Sequence, residues 1–262
     1  MSATASVMPS AKSQARVIGA LLMREILTRF GRHNIGFMWL FVEPMMFTSG
    51  VLILWTSLGL HSARLPMVGF ALSGYATVLV WRNAINRCGD AVEPNRALMH
   101  HRNVRVIDLF AARIILEIAG ATISFLILAL GLTLTGLMSG PDDVLKMIFA
   151  WLLLAWFSFD MALIIGSVTA LSESAARMWH VLSYLFLPLS GAFFMVAWLP
   201  RYAQNLVIWI PTVSCTELLR EGLFGVGVMA HYKLTYLVVV NIALLLPGLL
   251  LIRYIAARVE GE

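Results

Sequence analysis

Residues 23–46 read MREILTRFGRHNIGFMWLFVEPMM, a charged amphipathic segment that runs directly into an apolar one containing a Glu-Pro pair. Upstream of this junction, apolar residues recur at helical spacing while basic and polar residues occupy the other face, which is typical of a helix lying in a membrane interface. Downstream, the chain is predicted to enter the bilayer near Gly36. The apolar face comprises Val17, Ile18, Leu21, Leu22, Ile26 and Phe30.

The composition indicates an integral membrane protein. Hydrophobic residues make up 60% of the chain and charged residues 13%, and the mean hydropathy is +0.85, far above that of globular domains. Runs of about 20 apolar residues can cross about 30 Å of hydrocarbon. We therefore predict an all-α protein in which residues 1–35 form a disordered N-terminus (to about residue 15) and a cytoplasmic interface helix, and residues 36–262 form a six-helix transmembrane domain. The predicted spans are 36–59, 67–89, 108–137, 144–170, 179–199 and 233–255.

The basic residues predict the orientation, because Lys and Arg are retained on the cytoplasmic side of inner membranes. With both termini in the cytoplasm, all but five of the 19 Lys and Arg residues lie on that side or at that end of a span. The exceptions are Arg64, Lys146, Arg201, Arg220 and Lys233. The sequence thus predicts a multi-pass inner-membrane protein with cytoplasmic N and C termini. Cys88 and Cys215 then lie on opposite sides, which excludes a disulfide between them.

The first long connection, residues 90–108, is predicted to be cytoplasmic. Pro94 is well placed to start a helix, so residues 95–101 are predicted to form a short exposed helix rich in basic and His side chains. One interpretation is a solvated, positively charged loop, and the other is a docking element for a soluble partner. Adjacent His100 and His101 point to different sides of a helix and do not form a metal-binding pair.

The second long connection, residues 198–232, is predicted to lie on the outer face between spans 5 and 6. It contains two apolar pieces, 202–210 and 212–224, separated by Pro211. Neither piece can cross a bilayer, and Gly222, Gly225 and Gly227 close the second. We predict a short helical hairpin in or dipping into the outer interface, where it would line an exit.

Six ionisable residues fall inside the predicted spans, where charged side chains are costly and face protein or a water-filled cavity. The arginines can extend to the cytoplasmic surface, whereas the acids cannot reach it as easily and are predicted to pair with arginines across helices. An arginine-bearing inner cavity would also receive an anionic substrate. We predict that Arg82, Arg87, Trp81 and Tyr75 line a substrate channel. The ionisable set is Glu43, Arg82, Arg87, Arg113, Glu117 and Asp160.

The sequence carries no motif for catalysis. None of its three lysines (Lys12, Lys146 and Lys233) follows a glycine, so a P-loop is absent, and H-E-x-x-H and G-x-S-x-G are absent too. We predict no catalytic residue, no metal site and no cofactor in this chain. The pI near 9.6 suits a membrane surface or an anionic ligand better than nucleic acid. A multispan enzyme acting on lipid-linked sugars is the alternative class, and no motif supports it.

Three segments carry a family resemblance: REILTRFGRHNIGFMWLFVEPM (24–45), SESAARMWHVLSYLFLPLSGAFF (172–194) and ELLREGLFG (217–225). In this order and spacing, the chain resembles permease subunits of type 2 ABC exporters, most closely those that export capsular polysaccharide in Gram-negative bacteria. The resemblance covers nearly the whole chain. It implies two copies of this subunit joined to two cytoplasmic ATPase subunits, which bind ATP and Mg.

The resemblance also implies a substrate and further partners. The substrate would be a lipid-linked acidic polysaccharide, passed on to periplasmic and outer-membrane capsule export proteins, and membrane lipid would be a further partner. The interface helix would lie beside the channel mouth, the segment 94–102 would be the coupling helix in an ATPase cleft, and 198–232 would form paired outer helices near the exit. The alternative is export of another lipid-linked glycan, of O-antigen or teichoic acid type, or of a small molecule. The implied residues are Arg24, Arg29 and Arg32 at the mouth, and Pro94, Asn95, Arg96, His100 and Arg102 for coupling.

Overall fold

The computed structural model describes residues 11–30, 34–57, 67–89, 91–95, 99 and 104–261, which form helices and connecting turns without a strand. The short 3₁₀ turns are Glu93–Asn95, Val196–Trp198 and Gly225–Gly227. The α-helices are α1 (Ala11–Phe30), α2 (Asn34–Ser57), α3 (Met67–Gly89), α4 (Val106–Leu134), α5 (Val144–Leu171), α6 (Glu173–Leu189), α7 (Arg201–Val207), α8 (Pro211–Phe224) and α9 (Leu234–Gly261).

Three of the described helices are long and apolar enough to cross a membrane: α4, α5 and residues Leu234–Arg258 of α9. Their side chains are only partly buried within the chain, and large apolar residues such as Leu130, Leu152 and Leu246 are more than 60% exposed. Because a water-soluble protein rarely exposes large contiguous apolar surfaces, these faces match a lipid surround. The predicted all-helical membrane class is therefore confirmed at this level.

The structure differs from the prediction at several helix boundaries. α1 begins at Ala11, inside the stretch predicted to be disordered. Pro211 lies between the two helices of the second long connection, as predicted, and is the first residue of α8. The predicted fifth span, 179–199, is wrong in its second half, because α6 ends at Leu189. Pro188 lies in its last turn, and Gly191 turns the chain with a φ of 84°, a left-handed conformation that favours glycine. Apolarity continues past this turn, so hydrophobicity alone placed the span end too late.

Helix α5 packs against α3, α8 and α9 at the centre of the structure. Small residues bring its neighbours close: a Cβ on Gly166 would lie 2.6 Å from Cys88 Cβ, and one on Gly248 would lie 3.0 Å from Leu163 Cβ. Small residues have this role in membrane helix packing because lipid supplies no hydrophobic drive between helices. Cys88 is buried in this core, as is Cys215 in α8, and both thiols are free.

Helix α8 runs antiparallel to α3 and contacts it every four residues. A Cβ on Gly69 would come within 2.9 Å of Phe224 Cε1, the Arg220 Nε donates to Ser73 Oγ at 3.3 Å, and the Thr216 Oγ1 donates to Thr77 Oγ1 at 3.2 Å. This spacing matches one face of each helix. α8 therefore inserts alongside α3 instead of lying flat across the end of the bundle.

The C-terminal end of α8 is tied to the start of α5. Asp143 N donates to Gly222 O at 2.8 Å, and Lys146 Nζ lies 2.9 Å from Glu221 Oε1. Burial raises the pKa of the Glu221 carboxyl, but hydrogen bonds from Lys146 and Tyr232 outweigh that effect and leave the pKa below its ordinary value. The carboxylate is thus charged and bonded where α8 meets α5.

Candidate functional site

Arg220 is a completely buried side chain of α8 that binds the turn following α6. Its Nη1 donates to Gly191 O and Phe194 O, each at 2.8 Å, and its Nη2 donates to Ala192 O at 2.6 Å. The guanidinium also lies 3.9 Å from the centre of the Phe70 ring. A planar fork of donors suits several carbonyls at once, so Arg220 satisfies backbone groups left without helical partners where α6 ends.

Glu217, one turn earlier in α8, binds the chain on both sides of the helix. Its Oε1 accepts a hydrogen bond from Val196 N at 3.1 Å, and its Oε2 accepts one from His231 N at 3.0 Å. Together Glu217 and Arg220 fix α8 to the connection before it and to the one after it. The sequence prediction counted Arg220 only as an exception to the charge distribution and missed this anchor.

A cavity of about 490 Å³ opens between α1, α3, the Glu93–Asn95 turn, α4 and α6. We call it the polar cavity. Of the arginines predicted inside spans, it contains Arg87 and Arg113. Asn83, Asn86 and Arg87 share one face of α3, since their spacing is three and four residues. The lining residues are Glu25, Thr28, Asn83, Asn86, Arg87, Pro94, Arg113 and His180.

The two arginines of the polar cavity have different environments. Arg113 is 14% exposed, with Nε 3.1 Å from Glu25 Oε1 and Nη1 donating to Arg87 O at 2.7 Å. Arg87 is 47% exposed, and its Nε lies 3.5 Å from the buried Glu117 Oε1. Arg113 therefore braces α1 and α3 against α4, whereas the terminal amino groups of Arg87 form no ion pair or hydrogen bond with the described residues.

Of the three acids predicted to pair with arginines across helices, one forms such a pair in the described residues. Glu117 pairs with Arg87, and Glu25, which the sequence placed only on the polar face of α1, pairs with Arg113. Asp160 is fully buried, and neither of its carboxylate oxygens has a hydrogen-bond partner within the described part of the chain. The side chain of Glu43 lies outside the described residues.

A second cavity, of about 90 Å³, lies deeper between α3, α5, α6 and the start of α8. We call it the apolar cavity, because aromatic and aliphatic side chains dominate its wall. It adjoins the polar cavity at a hydrogen bond from Trp179 Nε1 to Asn86 Oδ1, 2.8 Å long. The lining residues are Trp81, Ile85, Phe157, Met161, Trp179, Phe186, Ser190, Ile210, Pro211 and Thr212.

The structure separates the four residues predicted to line a channel. Arg87 lines the polar cavity and Trp81 the apolar one. Arg82 lies on the ring of Tyr184, with Cζ 4.4 Å from its centre, and Tyr75 is half-buried further along α3. Asn86 of the polar cavity and Trp179 of the apolar cavity meet at their hydrogen bond, and the prediction did not assign either residue.

Helix α1 is attached to the connection that precedes α4. Arg24 Nη1 donates to Asn95 Oδ1 at 2.6 Å, and Asn95 Nδ2 donates to Ala91 O at 2.8 Å. Gln14 Nε2 donates to Asp108 Oδ1 at 3.0 Å near the other end of α1. Helix α1 therefore contacts the predicted coupling segment directly.

The prediction of an exposed helix over residues 95–101 is wrong at its start. Pro94 and Asn95 belong to the 3₁₀ turn Glu93–Asn95, and Asn95 is 4% exposed because it bonds to α1. The remaining coupling residues, Arg96, His100 and Arg102, lie outside the described residues. So do Arg32 and the side chain of Arg29 at the predicted channel mouth.

Apolar helices that enclose a cavity lined by charged side chains are a combination found in membrane transport proteins. Residues 16–224 match the family described as ABC-2 type transporter, and the chain belongs to that family.

Three relatives are similar to nearly the whole chain. The chain is 42% identical over 250 residues to the capsule polysaccharide export inner-membrane protein BexB of Haemophilus influenzae, covering 95% of this chain and 94% of the relative. It is 43% identical over 258 residues to the capsule polysaccharide export inner-membrane protein CtrC of Neisseria meningitidis serogroup A, covering 98% and 97%. It is 30% identical over 247 residues to the polysialic acid transport protein KpsM of Escherichia coli, covering 92% and 93%.

Proposed function

We propose that this chain is the transmembrane subunit of an ATP-driven exporter that moves lipid-linked acidic capsular polysaccharide across the bacterial inner membrane. The observation that carries the proposal is 43% identity along 98% of the chain to a capsule polysaccharide export inner-membrane protein. The polar cavity supports it, because Arg87 offers exposed positive charge inside a helical bundle and would attract an anionic substrate.

The proposed topology has six spans with both termini in the cytoplasm. α4, α5 and α9 supply three spans by length and apolarity. We assign the others to α2, α3 and α6, of which α6 has 17 residues, the lower limit of about 17 residues for a crossing helix. α7 and α8 then form the outer hairpin, and the anchor of Arg220 and Glu217 holds it against α3.

The proposed assembly contains two copies of this subunit and two cytoplasmic ATPase subunits that bind ATP and Mg. The missing P-loop in the sequence supports a separate ATPase. We place ATPase docking at residues 94–102, and the hydrogen bond from Arg24 to Asn95 gives that segment a direct connection to α1. Periplasmic and outer-membrane export proteins would receive the polymer.

Deletion and complementation test this function. Deleting the gene should abolish surface polymer and leave polymer inside the cell, and the wild-type chain should restore export. Purified chain co-expressed with its ATPase should show ATP hydrolysis stimulated by the polymer. Arg177→Ala is a control variant that should restore export, because Arg177 is 78% exposed and, among the described residues, pairs with Glu173 on the same helix. Unchanged surface capsule in the deletion strain, or stimulation by a neutral lipid-linked glycan alone, would contradict the proposed substrate.

A further inference from the structure

Tyr202, Leu206 and Trp209 form an exposed apolar stripe along α7 and the turn that follows it. Their side chains are 73%, 70% and 53% exposed. The turn continues the helical path, because Ile208 N donates to Gln204 O and Trp209 N donates to Leu206 O, each at 3.2 Å, and residues three or four apart share one face of a helix. We call these three residues the outer stripe. Because large apolar side chains are unfavourable in water, a surface beyond the described residues should cover it.

Polar side chains follow one edge of the outer stripe. Arg201 and Asn205 each precede a stripe residue by one position, and consecutive residues of a helix are rotated by about 100°. Both side chains are exposed. An apolar stripe with a polar edge is typical of a helix that lies in the plane of a membrane interface, where the stripe faces the acyl chains and the polar edge faces water.

The outer stripe is continuous with the apolar surface of α9. Tyr236 OH donates to Trp209 O at 2.7 Å, and the two rings lie edge to face with their centres 5.0 Å apart. Tyr236 is three residues before Val239 and therefore adjoins it on α9. Val239, Ile242 and Leu246 are all more than half exposed along the apolar helix. Trp and Tyr are enriched where such a surface meets the headgroups, so lipid that covers α9 would also reach the stripe.

Lys233 adds a positive charge at the same place. Its Nζ lies 3.7 Å from the centre of the Trp209 ring, and within the described residues its ammonium forms no ion pair or hydrogen bond. In the sequence, Lys233 is an exception to the retention of basic residues on the cytoplasmic side. A lysine binds phosphate as a point charge, and a phospholipid carries its phosphate directly above its acyl chains. The combined charge and apolarity therefore fit a phospholipid.

We propose that the outer stripe lies between the headgroups and the acyl chains of the outer leaflet, and that Lys233 and Trp209 bind the phosphate region of a membrane phospholipid there. The inference goes beyond the proposed function and uses from it only the six-span topology. It gives the two helices of the outer hairpin different supports. Lipid holds α7 at a fixed depth, whereas the anchor of Arg220 and Glu217 holds α8 against α3.

Nitroxide labels on two adjacent residues test the depth of the outer stripe. Leu206→Cys and Asn205→Cys would be labelled in the full-length chain, co-expressed with its ATPase and reconstituted into vesicles of phosphatidylethanolamine and phosphatidylglycerol. The wild type supplies the background, because both native thiols are buried. We expect the label in Leu206→Cys to collide mainly with oxygen, which concentrates among acyl chains. The label in Asn205→Cys should collide mainly with a water-soluble nickel chelate.

Two results of this measurement would overturn the proposal. Equal access of the nickel chelate to both labels would place the outer stripe in water, as expected for a surface that binds the exported glycan. Protection of the Leu206→Cys label from both oxygen and the nickel chelate would mean that protein covers the stripe, from a second copy or from a periplasmic partner. A monodisperse elution profile of each labelled chain confirms folding.

Local lipid quenching tests the phosphate contact. A bimane fluorophore on Leu206→Cys would report quenching by nitroxide-bearing phosphatidylglycerol relative to nitroxide-bearing diacylglycerol, which lacks the phosphate. We expect preference for phosphatidylglycerol, and Lys233→Gln should reduce this preference about fivefold, as expected for loss of one cation near an anionic membrane surface. Lys233→Arg should keep the preference, and Arg177→Ala, which removes an exposed cation of α6, should leave it unchanged. An unchanged preference in Lys233→Gln would overturn the phosphate contact.

Failure of this inference is distinct from failure of the proposed function. The proposed function fails if the deletion strain still displays capsule, and the proposed topology fails if the thiol of Asn205→Cys cannot be reached from outside intact spheroplasts. Both can hold while the two labels show a stripe that is in water or covered by protein, and that combination would refute the lipid contact alone.

Discussion

Replacing Arg220 should destabilise the packing of α8 against α3 and the turn after α6, because this side chain holds together segments far apart in sequence. Its guanidinium binds three carbonyls of the turn after α6, the Ser73 hydroxyl of α3 and the Phe70 ring. Arg220→Ala leaves the three carbonyls buried and unsatisfied, at about 1–3 kcal/mol each. We expect a loss of at least about 4 kcal/mol, which is a large part of a typical folding free energy of about 5–15 kcal/mol.

The lysine variant separates charge from geometry. Arg220→Lys keeps the positive charge near Glu217, but a single ammonium cannot reproduce the fork that reaches both Ala192 O and the Gly191 and Phe194 carbonyls. We expect a loss of about 2–3 kcal/mol from the hydrogen bonds that it cannot make. Arg177→Ala, at an exposed pair within one helix, should cost less than about 0.5 kcal/mol.

The difference in stability between the wild type and these variants is measured by thermal unfolding in a fixed detergent, with size-exclusion chromatography of the heated samples as the readout. At about 2–4 °C per kcal/mol for a chain of this size, Arg220→Ala should lower Tm by at least about 8 °C and Arg220→Lys by about 4–12 °C. A melting temperature of the Ala variant within about 2 °C of that of Arg177→Ala would refute the reasoning, because a side chain bound to three buried carbonyls cannot be removed so cheaply.

Three further predictions concern other parts of the chain. Because both native thiols are buried, a membrane-impermeant maleimide should leave the wild type unlabelled in intact spheroplasts. Asn205→Cys should react in intact spheroplasts, and Arg105→Cys should react only after permeabilisation. The reverse labelling pattern would invert the proposed topology. Asp160→Asn should match or exceed the wild-type Tm, since a neutral isostere removes the cost of burying an unpartnered carboxylate; a drop of more than about 4 °C would show that the charge has a partner. Arg24→Ala and Asn95→Ala should each reduce polymer export at equal abundance and be non-additive together, whereas additive losses would mean that the two side chains act separately.

The sequence alone predicted the helices whose signal lies in neighbouring residues. α3 occupies the residues predicted for the second span, and α5 and the second predicted apolar piece of the outer connection lie within a few residues of their predictions. Apolar runs of this length report burial in lipid directly. A helix in the predicted N-terminal region was also found, because its amphipathic spacing is a property of neighbouring residues.

The contacts that build the site could not be predicted in the same way. Arg220 reaches carbonyls 26–29 residues earlier and a serine 147 residues earlier, and no periodic pattern connects such positions. The available signal was the presence of Glu217 and Arg220 inside a short apolar segment. That signal does not show which groups the two side chains bind. Likewise, the sequence showed that Arg87 and Arg113 needed compensation, whereas only the packing of α1 against α4 shows that Glu25 supplies part of it.

Because α1 is attached to the Glu93–Asn95 turn, a movement of the turn would be transmitted to this helix. Gln14 holds one part of it to Asp108, and Arg24, about 15 Å further along the helix, is bonded to the turn that leads into the proposed docking segment. The next residue, Glu25, and Thr28 form a wall of the polar cavity, as does Pro94. If the proposed ATPase displaced the turn, α1 would swing about its Gln14 end and the width of the polar cavity would change.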